Sequence, residues 1–296
     1  MNVLITGCSG FLGKSLIAKS PSNWNILGIY NNNNHITRYV SENNLNNVNL
    51  HKCDLSSLDS FKEIFELHGK SFDVCFHFAG STPFSKTGFN GDANLRVIDN
   101  FEYAFSLGLV DKIIFPSSYI VYGEQDRYPV SEKATPNPGS AYGKNKFECE
   151  TLLLKYLKKY DTSYLILRSS CVVSPNQTHG LINLLVGKAM KDEEITIYNK
   201  FERRDNLDLE DLLRVFIDHS VSLDGIYNVG SGKSLTVEDI ARIVVDIAGK
   251  GHVKVLQESV SLMDNFLDIS KLVKQINFNH RKDIRESILS VFDKYE

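Results

Sequence analysis

The chain has 296 residues, of which 42% are apolar and 23% are charged, and its formal net charge is -3 at pH 7. This composition is typical of a globular protein and argues against a disordered chain or a fibrous repeat. The small negative charge gives no bulk attraction to nucleic acid or to anionic lipid, so neither is expected as a partner.

The five cysteines are odd in number and scattered, with no C-x-x-C pair and no His/Cys cluster at zinc spacing. We therefore expect reduced thiols and no metal. The first residues enter an apolar run without a basic leader, and no later apolar run approaches the ~20 residues of a membrane span. These features predict a cytoplasmic protein without a membrane partner.

Short apolar runs alternate with longer helical patterns over the first half of the chain. The predicted strands are residues 2–5, 25–30, 74–78, 112–115 and 164–167, and the predicted helices are residues 11–18, 58–67, 93–107 and 141–160. Such alternation is typical of right-handed βαβ units. The pattern predicts an α/β fold with a doubly wound, Rossmann-like parallel sheet.

Past residue 168 the pattern loosens, with a predicted helix at 181–190 and short strands at 195–198 and 226–229. We predict a dinucleotide-binding domain over residues 1–170, with a return segment near 205–232, and a smaller substrate-binding lobe over residues 171–296. The asparagine-rich stretches 31–34 and 43–49 lack periodicity and are predicted to be surface loops.

A glycine-rich segment, residues 6–13, follows the first predicted strand and opens the first predicted helix. In that context Gly7 makes a tight turn, Gly10 lets a pyrophosphate approach the backbone, and Gly13 lets the helix pack closely. The helix N-terminus attracts the negative charge. The residues predicted to bind the dinucleotide here are Gly7, Ser9, Gly10, Phe11 and Leu12.

The choice between NAD and NADP depends on the end of the second strand. An acidic residue there accepts hydrogen bonds from the ribose diol of NAD and repels the extra phosphate of NADP. This chain has Asn31, which can bond the diol but repels nothing, so both cofactors stay open. Asp54 and the adjacent Leu55 are predicted to contact the adenine, with a helix N-cap as the alternative role for Asp54. Ala79 and Gly80 leave room for backbone near the cofactor.

Tyr142 and Lys146 stand four positions apart in a predicted helix, so both project from one face. A free tyrosine keeps its proton at neutral pH, and a cation within a few ångströms favours the phenolate. The spacing predicts that Tyr142 transfers a proton with help from Lys146, which can also bond the nicotinamide ribose.

Ser118 follows another predicted strand, at the end where ligands of open α/β sheets bind, and can hold a substrate oxygen.

Together these motifs resemble the extended short-chain dehydrogenase/reductases, specifically the NAD-dependent epimerase/dehydratase family that works on nucleotide-activated sugars. The resemblance rests on the glycine loop, Ser118 before V-Y-G at 121–123, Tyr142, Lys146, Asn94, Arg168, the segment R-D-N-L-D-L-E-D at 204–211 and Y-N-V-G-S-G at 227–232. It covers nearly the whole chain.

The resemblance implies that Tyr142 acts at a sugar hydroxyl, that Ser118 bonds the same oxygen, and that Arg204 contacts a nucleotide diphosphate. A structural pair between Arg204 and Asp205 is the alternative. The other residues expected to contact the substrate are Ser81, Tyr119 and Cys171. Family members often dimerise through two helices of the cofactor domain, so a homodimer is expected, although core packing explains the same apolar pattern.

Three departures from related enzymes narrow the reaction or the substrate. Tyr119 and Ile120 stand where similar 4,6-dehydratases carry an acidic pair, which disfavours a dehydratase because an apolar side chain cannot protonate a leaving hydroxide. Epimerase-reductases that make fucose-type sugars carry a cysteine at position 119, which disfavours that reaction as well. Cys171 replaces the family's usual asparagine and removes an amide donor from the expected substrate site.

Two hypotheses for the enzymatic reaction remain, a 4-ketoreductase and a 4-epimerase. The absence of an acidic residue at position 31, which is Asn31, and the compact C-terminal lobe slightly favour the reductase. A dinucleotide-sensing or scaffold protein of the same fold is the alternative from another class, and it would not need Ser118, Tyr142 and Lys146 together.

Overall fold

The computed structural model describes residues 1–69, 71–85, 88–256 and 264–295. The strands are β1 (Asn2–Thr6), β2 (Asn25–Tyr30), β3 (Val48–Lys52), β4 (Val74–His77), β5 (Lys112–Ser118), β6 (Ser163–Ser169), β7 (Cys171–Val173), β8 (Glu194–Ile197), β9 (Arg203–Asp208), β10 (Gly225–Val229), β11 (Ser234–Thr236) and β12 (His252–Val255). The helices are α1 (Phe11–Lys19), α2 (His35–Glu42), α3 (Leu58–His68), α4 (Gly91–Ser106), α5 (Ala141–Tyr160), α6 (Leu181–Met190), α7 (Leu209–His219), α8 (Val237–Ala248), α9 (Ser270–Ile276) and α10 (Ile284–Phe292).

Seven strands form the main sheet, in the order β10-β6-β5-β4-β1-β2-β3. The pairs β1–β2, β1–β4, β2–β3 and β4–β5 are all parallel. The central strand β1 is apolar and buried on both faces, as expected for a parallel sheet covered by helices, and Val3, Leu4 and Ile5 are fully buried. The predicted doubly wound α/β fold is therefore confirmed.

The chain divides into two compact units. The first contains residues 1–117, 140–167 and 215–226, and the second contains residues 118–139, 168–214 and 227–296. Aromatic side chains from α3, α4, β5 and α5 fill the core of the first unit, whereas α6, α8 and α10 surround an aliphatic core in the second. The second unit also contains the small sheets β11-β9-β7 and β12-β8. The assignment of cofactor and substrate to these units stays a prediction.

The asparagine-rich stretches are more ordered than the sequence pattern indicated. The predicted loop 43–49 runs into β3, and α2 follows directly on the stretch 31–34. Strand β3 lies at the edge of the sheet and only its first residue, Val48, is fully buried. An edge strand of this kind lacks the continuous apolar run by which the other strands were recognised.

Within the described ranges, every helix is too short or too polar to cross a lipid bilayer.

Candidate active site

The glycine loop makes its turn between β1 and α1 at Gly7, which adopts a left-handed φ of +66°. A side chain at this position would place Cβ 2.6 Å from the backbone nitrogen of Ala79. A Cβ on Gly13 would lie 2.5 Å from the carbonyl oxygen of Gly7. The loop is therefore pressed between the first turn of α1 and the end of β4, and only glycine fits at both positions.

The N-terminus of α1 fits an anionic ligand. Its N-cap residue is Gly10, no side chain caps the helix, and the first turn has no acidic residue. An uncapped helix N-terminus keeps backbone N–H groups available, and the helix dipole favours negative charge there. The backbone of Phe11 and Leu12 belongs to this first turn, so the loop fits the pyrophosphate of a dinucleotide.

The predicted ribose and adenine contacts lie on neighbouring strand ends. Asn31 is exposed and directly follows β2. One oxygen of Asp54 accepts hydrogen bonds from the backbone and hydroxyl of Ser56, at 3.0 and 2.8 Å. The N-cap of α3 is Ser57, so the alternative N-cap role for Asp54 was wrong. Leu55 is buried in the core, where its side chain serves packing.

Tyr142 and Lys146 lie in the first turns of α5, whose observed bounds match the predicted helix. The ring of Tyr142 meets the ring of Phe89 edge to face, with centroids 6.0 Å apart. The ammonium of Lys146 donates to the carbonyl oxygen of Pro116 at 3.0 Å and lies 4.6 Å from the ring centre of Phe115. Strand β5 thereby fixes the position of the Lys146 charge next to the turn that carries Tyr142.

His77, at the end of β4, is a neighbour of Lys146 that the sequence did not reveal. Burial, reinforced by the positive charge of Lys146, lowers the pKa of His77 to about 3. The imidazole is therefore neutral at physiological pH, and its Nδ1 lies 2.7 Å from the Thr6 hydroxyl. It stacks on Phe115 with ring centroids 5.9 Å apart. His77 is therefore a neutral neighbour of Lys146 and adds no second positive charge to the candidate site.

The segment after β4 is held by side-chain hydrogen bonds. The backbone N–H of Ala79 donates to the Thr6 hydroxyl at 3.2 Å. The hydroxyl of Ser81 donates to the carbonyl of Gly88 at 3.1 Å and accepts from the backbone N–H of Asn90 at 2.8 Å. Both hydrogen bonds close the loop that leads into α4. The predicted substrate contact of Ser81 stays a prediction.

In the second unit, Ser118 is the last residue of β5 and caps the short 3₁₀ turn Tyr119–Val121 by accepting from the backbone N–H of Ile120 at 3.4 Å. Its side chain is half-buried. The turn leads into Tyr122, whose hydroxyl donates to the side-chain oxygen of Asn228 at 2.7 Å. The family-like segments V-Y-G and Y-N-V-G are thus joined by a direct hydrogen bond.

Cys171 lies between Tyr119 and Asn265. The hydroxyl of Tyr119 bonds the Cys171 thiol, and the side-chain amide of Asn265 donates to the sulfur at 3.2 Å. Burial raises the pKa of both Cys171 and Tyr119. A protonated thiol is a poor nucleophile, which favours a packing role for Cys171 over a nucleophilic one. Its predicted contact with the substrate stays a prediction. The amide absent at position 171 is present on Asn265, 94 residues away along the chain.

Arg204 and Asp205 have separate partners. Arg204 pairs with Glu202, whereas the fully buried Asp205 accepts from the backbone N–H of Ser231 at 2.8 Å and from its hydroxyl at 2.7 Å. Burial raises the pKa of Asp205. Its hydrogen bonds join the R-D-N segment to the Y-N-V-G-S-G segment, so Asp205 has a structural role.

Beside Arg204, the second unit contains a cavity of about 210 Å³. Strands β9 and β11 and the start of α10 line it. Its lining includes the charged or titratable side chains Arg204, Lys233, His280, Lys282, Asp283 and Arg285. The carboxylate of Asp283 is used to cap α10, because it accepts from the backbone N–H of Glu286 at 2.9 Å. Three of these cations already have carboxylate partners, since Glu202 pairs with Arg204, Asp208 and Glu210 pair with Lys282, and Asp246 pairs with Arg285. An anionic ligand in this cavity would share or replace these ion pairs.

The parallel sheet, the glycine loop and the tyrosine–lysine pair define a dinucleotide-dependent enzyme. The model of the NAD dependent epimerase/dehydratase family matches residues 3–230, and the chain belongs to this family.

Individual members of this family are similar to the chain over most of its length. The chain is 28% identical to dTDP-4-dehydro-6-deoxyglucose reductase of Escherichia coli, over 93% of this chain and 92% of that enzyme. It is 24% identical to a trifunctional UDP-glucose 4,6-dehydratase/UDP-4-keto-6-deoxy-D-glucose 3,5-epimerase/UDP-4-keto-L-rhamnose-reductase of Arabidopsis thaliana; that match covers 99% of this chain but only 47% of the plant enzyme. The structure of UDP-N-acetylglucosamine 4-epimerase from Methanobrevibacter ruminantium in complex with UDP-N-acetylmuramic acid superposes with a TM-score of 0.81, at 26% identity, over 99% of this chain and 98% of that one.

Gly7→Ala tests the glycine loop. We expect it to destabilise the protein by about 3 kcal/mol and to abolish NADH binding, because the new Cβ meets the backbone of Ala79. Gly69→Ala is the matched control, since Gly69 is also left-handed, with a φ of +54°, but has no atom within 4 Å of its added Cβ. The control should cost only about 1 kcal/mol and bind NADH normally. Thermal denaturation and fluorescence titration measure both effects, and equal losses in the two variants would contradict the assignment.

Proposed function

We propose that this protein transfers hydride between a nicotinamide dinucleotide and C4 of a nucleotide-activated sugar, as a 4-ketoreductase. The observation that carries the proposal is the fixed ammonium of Lys146, held by the carbonyl of Pro116 in the helix turn after Tyr142. The similarity to the Escherichia coli reductase over almost the full length of both chains supports the reductase direction.

In this mechanism, the glycine loop with Gly7 and Gly10 would hold the reduced dinucleotide, which would supply a hydride to C4 of the keto sugar. Tyr142 gives its hydroxyl proton to the carbonyl oxygen as that oxygen gains negative charge, so that a C–H bond and an O–H bond replace the C=O double bond. Lys146 stabilises the resulting phenolate. The proposed role of Ser118 is to donate a hydrogen bond to a substrate oxygen. Tyr142 regains its proton from solvent before the next turnover.

A 4-epimerase is the second candidate, supported by the similarity to the Methanobrevibacter ruminantium epimerase. The same Tyr142 would then first take the proton from the C4 hydroxyl and later return it. The retained cofactor would keep the hydride between the two half-reactions. The two candidates differ in whether the oxidised dinucleotide stays bound.

A dehydratase is not proposed, because the chain lacks an acid beside Ser118. Ile120 cannot donate a proton, and burial raises the pKa of Tyr119, whose hydroxyl is bonded to Cys171. A weak, engaged acid of this kind does not protonate a leaving hydroxide efficiently.

We further propose that Arg204 binds the diphosphate of the substrate. The support is the cavity beside it, which Lys233 and Lys282 also line. Guanidinium and ammonium groups are the usual partners of phosphate oxygens.

Dimerisation and a cytoplasmic location stay predictions of the sequence. The apolar side chains Leu95 and Tyr103 of α4 and Leu152 and Leu154 of α5 pack against the core of the first unit. Core packing therefore explains much of the pattern that suggested a dimer, and light scattering after size exclusion measures the oligomeric state.

Tyr142→Phe tests the enzyme against the sensor or scaffold alternative. The substitution removes the transferable proton and keeps the ring, so we expect kcat to fall by a factor of about 10² to 10⁴. NADH binding should change little. Turnover is followed by NAD(P)H absorbance with 4-keto nucleotide sugars, and an unchanged kcat would contradict the proposed role of Tyr142.

Arg204→Leu tests the diphosphate site. We expect KM for the nucleotide sugar to rise about tenfold or more, because a charge-assisted hydrogen bond to phosphate is lost. Arg242→Leu is the control, since Arg242 belongs to the same unit but forms an exposed pair with Glu238. A KM that rises equally in both variants, or in neither, would argue against this assignment.

The cofactor released by denaturing the purified protein separates reductase from epimerase. A reductase is expected to release little nucleotide and to bind NADH or NADPH from solution, whereas an epimerase retains NAD through purification. Mass spectrometry identifies what is released. Stoichiometric NAD would overturn the reductase proposal and favour the epimerase.

A further inference from the structure

Between Tyr142 and Lys146, the residue Asn145 points away from solvent into a chain of amide hydrogen bonds. Its side chain is 5% exposed. Its amide nitrogen donates to the carbonyl oxygen of Gly91 at 2.9 Å, and its oxygen accepts from the side-chain amide of Asn94 at 2.9 Å. Asn145 thus connects the catalytic turn of α5 to the first turn of α4.

The series of amide hydrogen bonds continues from Asn94 to the segment after β4. The oxygen of Asn94 accepts from the backbone N–H of Ser81 at 2.6 Å, and its nitrogen donates to the carbonyl of Ser81 at 3.0 Å. Asn94 therefore clamps both backbone groups of one residue directly after Ala79 and Gly80, which are predicted to adjoin the cofactor. Each amide in the chain has one orientation that satisfies all these bonds.

Little free space surrounds these hydrogen-bonded amides. A Cβ on Gly91 would lie 3.0 Å from the amide nitrogen of Asn145, so a larger residue would push this amide aside. Phe89, two residues before Gly91, contacts the ring of Tyr142. The segment 88–91 is consequently tied to α5 at both Tyr142 and Asn145.

We propose that Asn145 is a positioning residue that holds the segment Ala79–Ser81 in register with the turn bearing Tyr142 and Lys146, so that one rigid unit receives the nicotinamide half of the dinucleotide. This proposal rests on the proposed function. Asn145 is buried and acts through Asn94 and the backbone. Its loss moves groups that surround the cofactor, and displacements of about 1 Å in such groups cost large factors in binding and rate.

The test compares three variants by NADH and NADPH titration and by thermal denaturation. Asn145→Leu removes both hydrogen bonds at similar volume. Asn145→Asp keeps the acceptor for Asn94 but loses the donor to Gly91. Asn47→Leu is the control, because the half-buried amide of Asn47 donates to the carbonyl of Trp24 at 3.0 Å, next to the amino ends of β2 and β3.

We expect Asn145→Leu to raise the dissociation constant of the preferred dinucleotide on the order of tenfold, and Asn145→Asp to raise it less. Asn47→Leu should lower Tm without changing that constant. In the active enzyme, kcat of Asn145→Leu should fall while KM for the sugar stays within about twofold, because the sugar contacts are intact.

A dissociation constant for Asn145→Leu or Asn145→Asp equal to that of the wild type, with only a lower Tm, would overturn the proposal and leave Asn145 a structural residue. The cofactor titration needs no sugar substrate. A wild type that binds dinucleotide but reduces no nucleotide sugar would refute the proposed function, while the Asn145 result would still be read from the dissociation constants.

Discussion

The proposed catalytic site of the first unit depends on the position of one positive charge, the ammonium of Lys146. The ammonium of Lys146 is fixed by the Pro116 carbonyl and the Phe115 ring, both on β5, while its own backbone belongs to α5. Packing of this helix on this strand thus sets the position of the charge. A cation held in this way favours negative charge on a nearby oxygen. His77 lies close by but is neutral, because burial and Lys146 itself lower its pKa to about 3.

The second unit uses the two faces of one strand for different purposes. Along β9, Arg204 and Asn206 line the cationic cavity, whereas the intervening Asp205 is fully buried and bonds Ser231. Alternation along a strand therefore separates a residue available to a ligand from one that holds the loop behind it. Within the R-D-N segment 204–206, the arginine has the proposed binding role and the aspartate has the structural one.

Features that depend on neighbouring residues could be predicted from the sequence. The glycine loop, the bounds of α5 and the placement of Tyr142 and Lys146 on that one helix follow from turn chemistry and helical periodicity. The contacts that complete the candidate site are distant in sequence: Thr6 bonds His77 across 71 residues, and Asn94 bonds Asn145 across 51. No local pattern indicates such pairs, because they are created only when the sheet and its helices assemble. Asn265 beside Cys171 is the same case, and only the folded chain shows that a second amide stands near the missing one.

The most direct test of hydride transfer at C4 uses a dinucleotide deuterated at the transferring position of the nicotinamide ring. Incubation with a 4-keto nucleotide sugar, followed by mass spectrometry and proton NMR of the product, locates the deuterium. For a 4-ketoreductase we expect one deuterium, at C4 and in a single configuration, with one equivalent of dinucleotide oxidised. A product without deuterium at C4, formed by the wild-type protein, would contradict it.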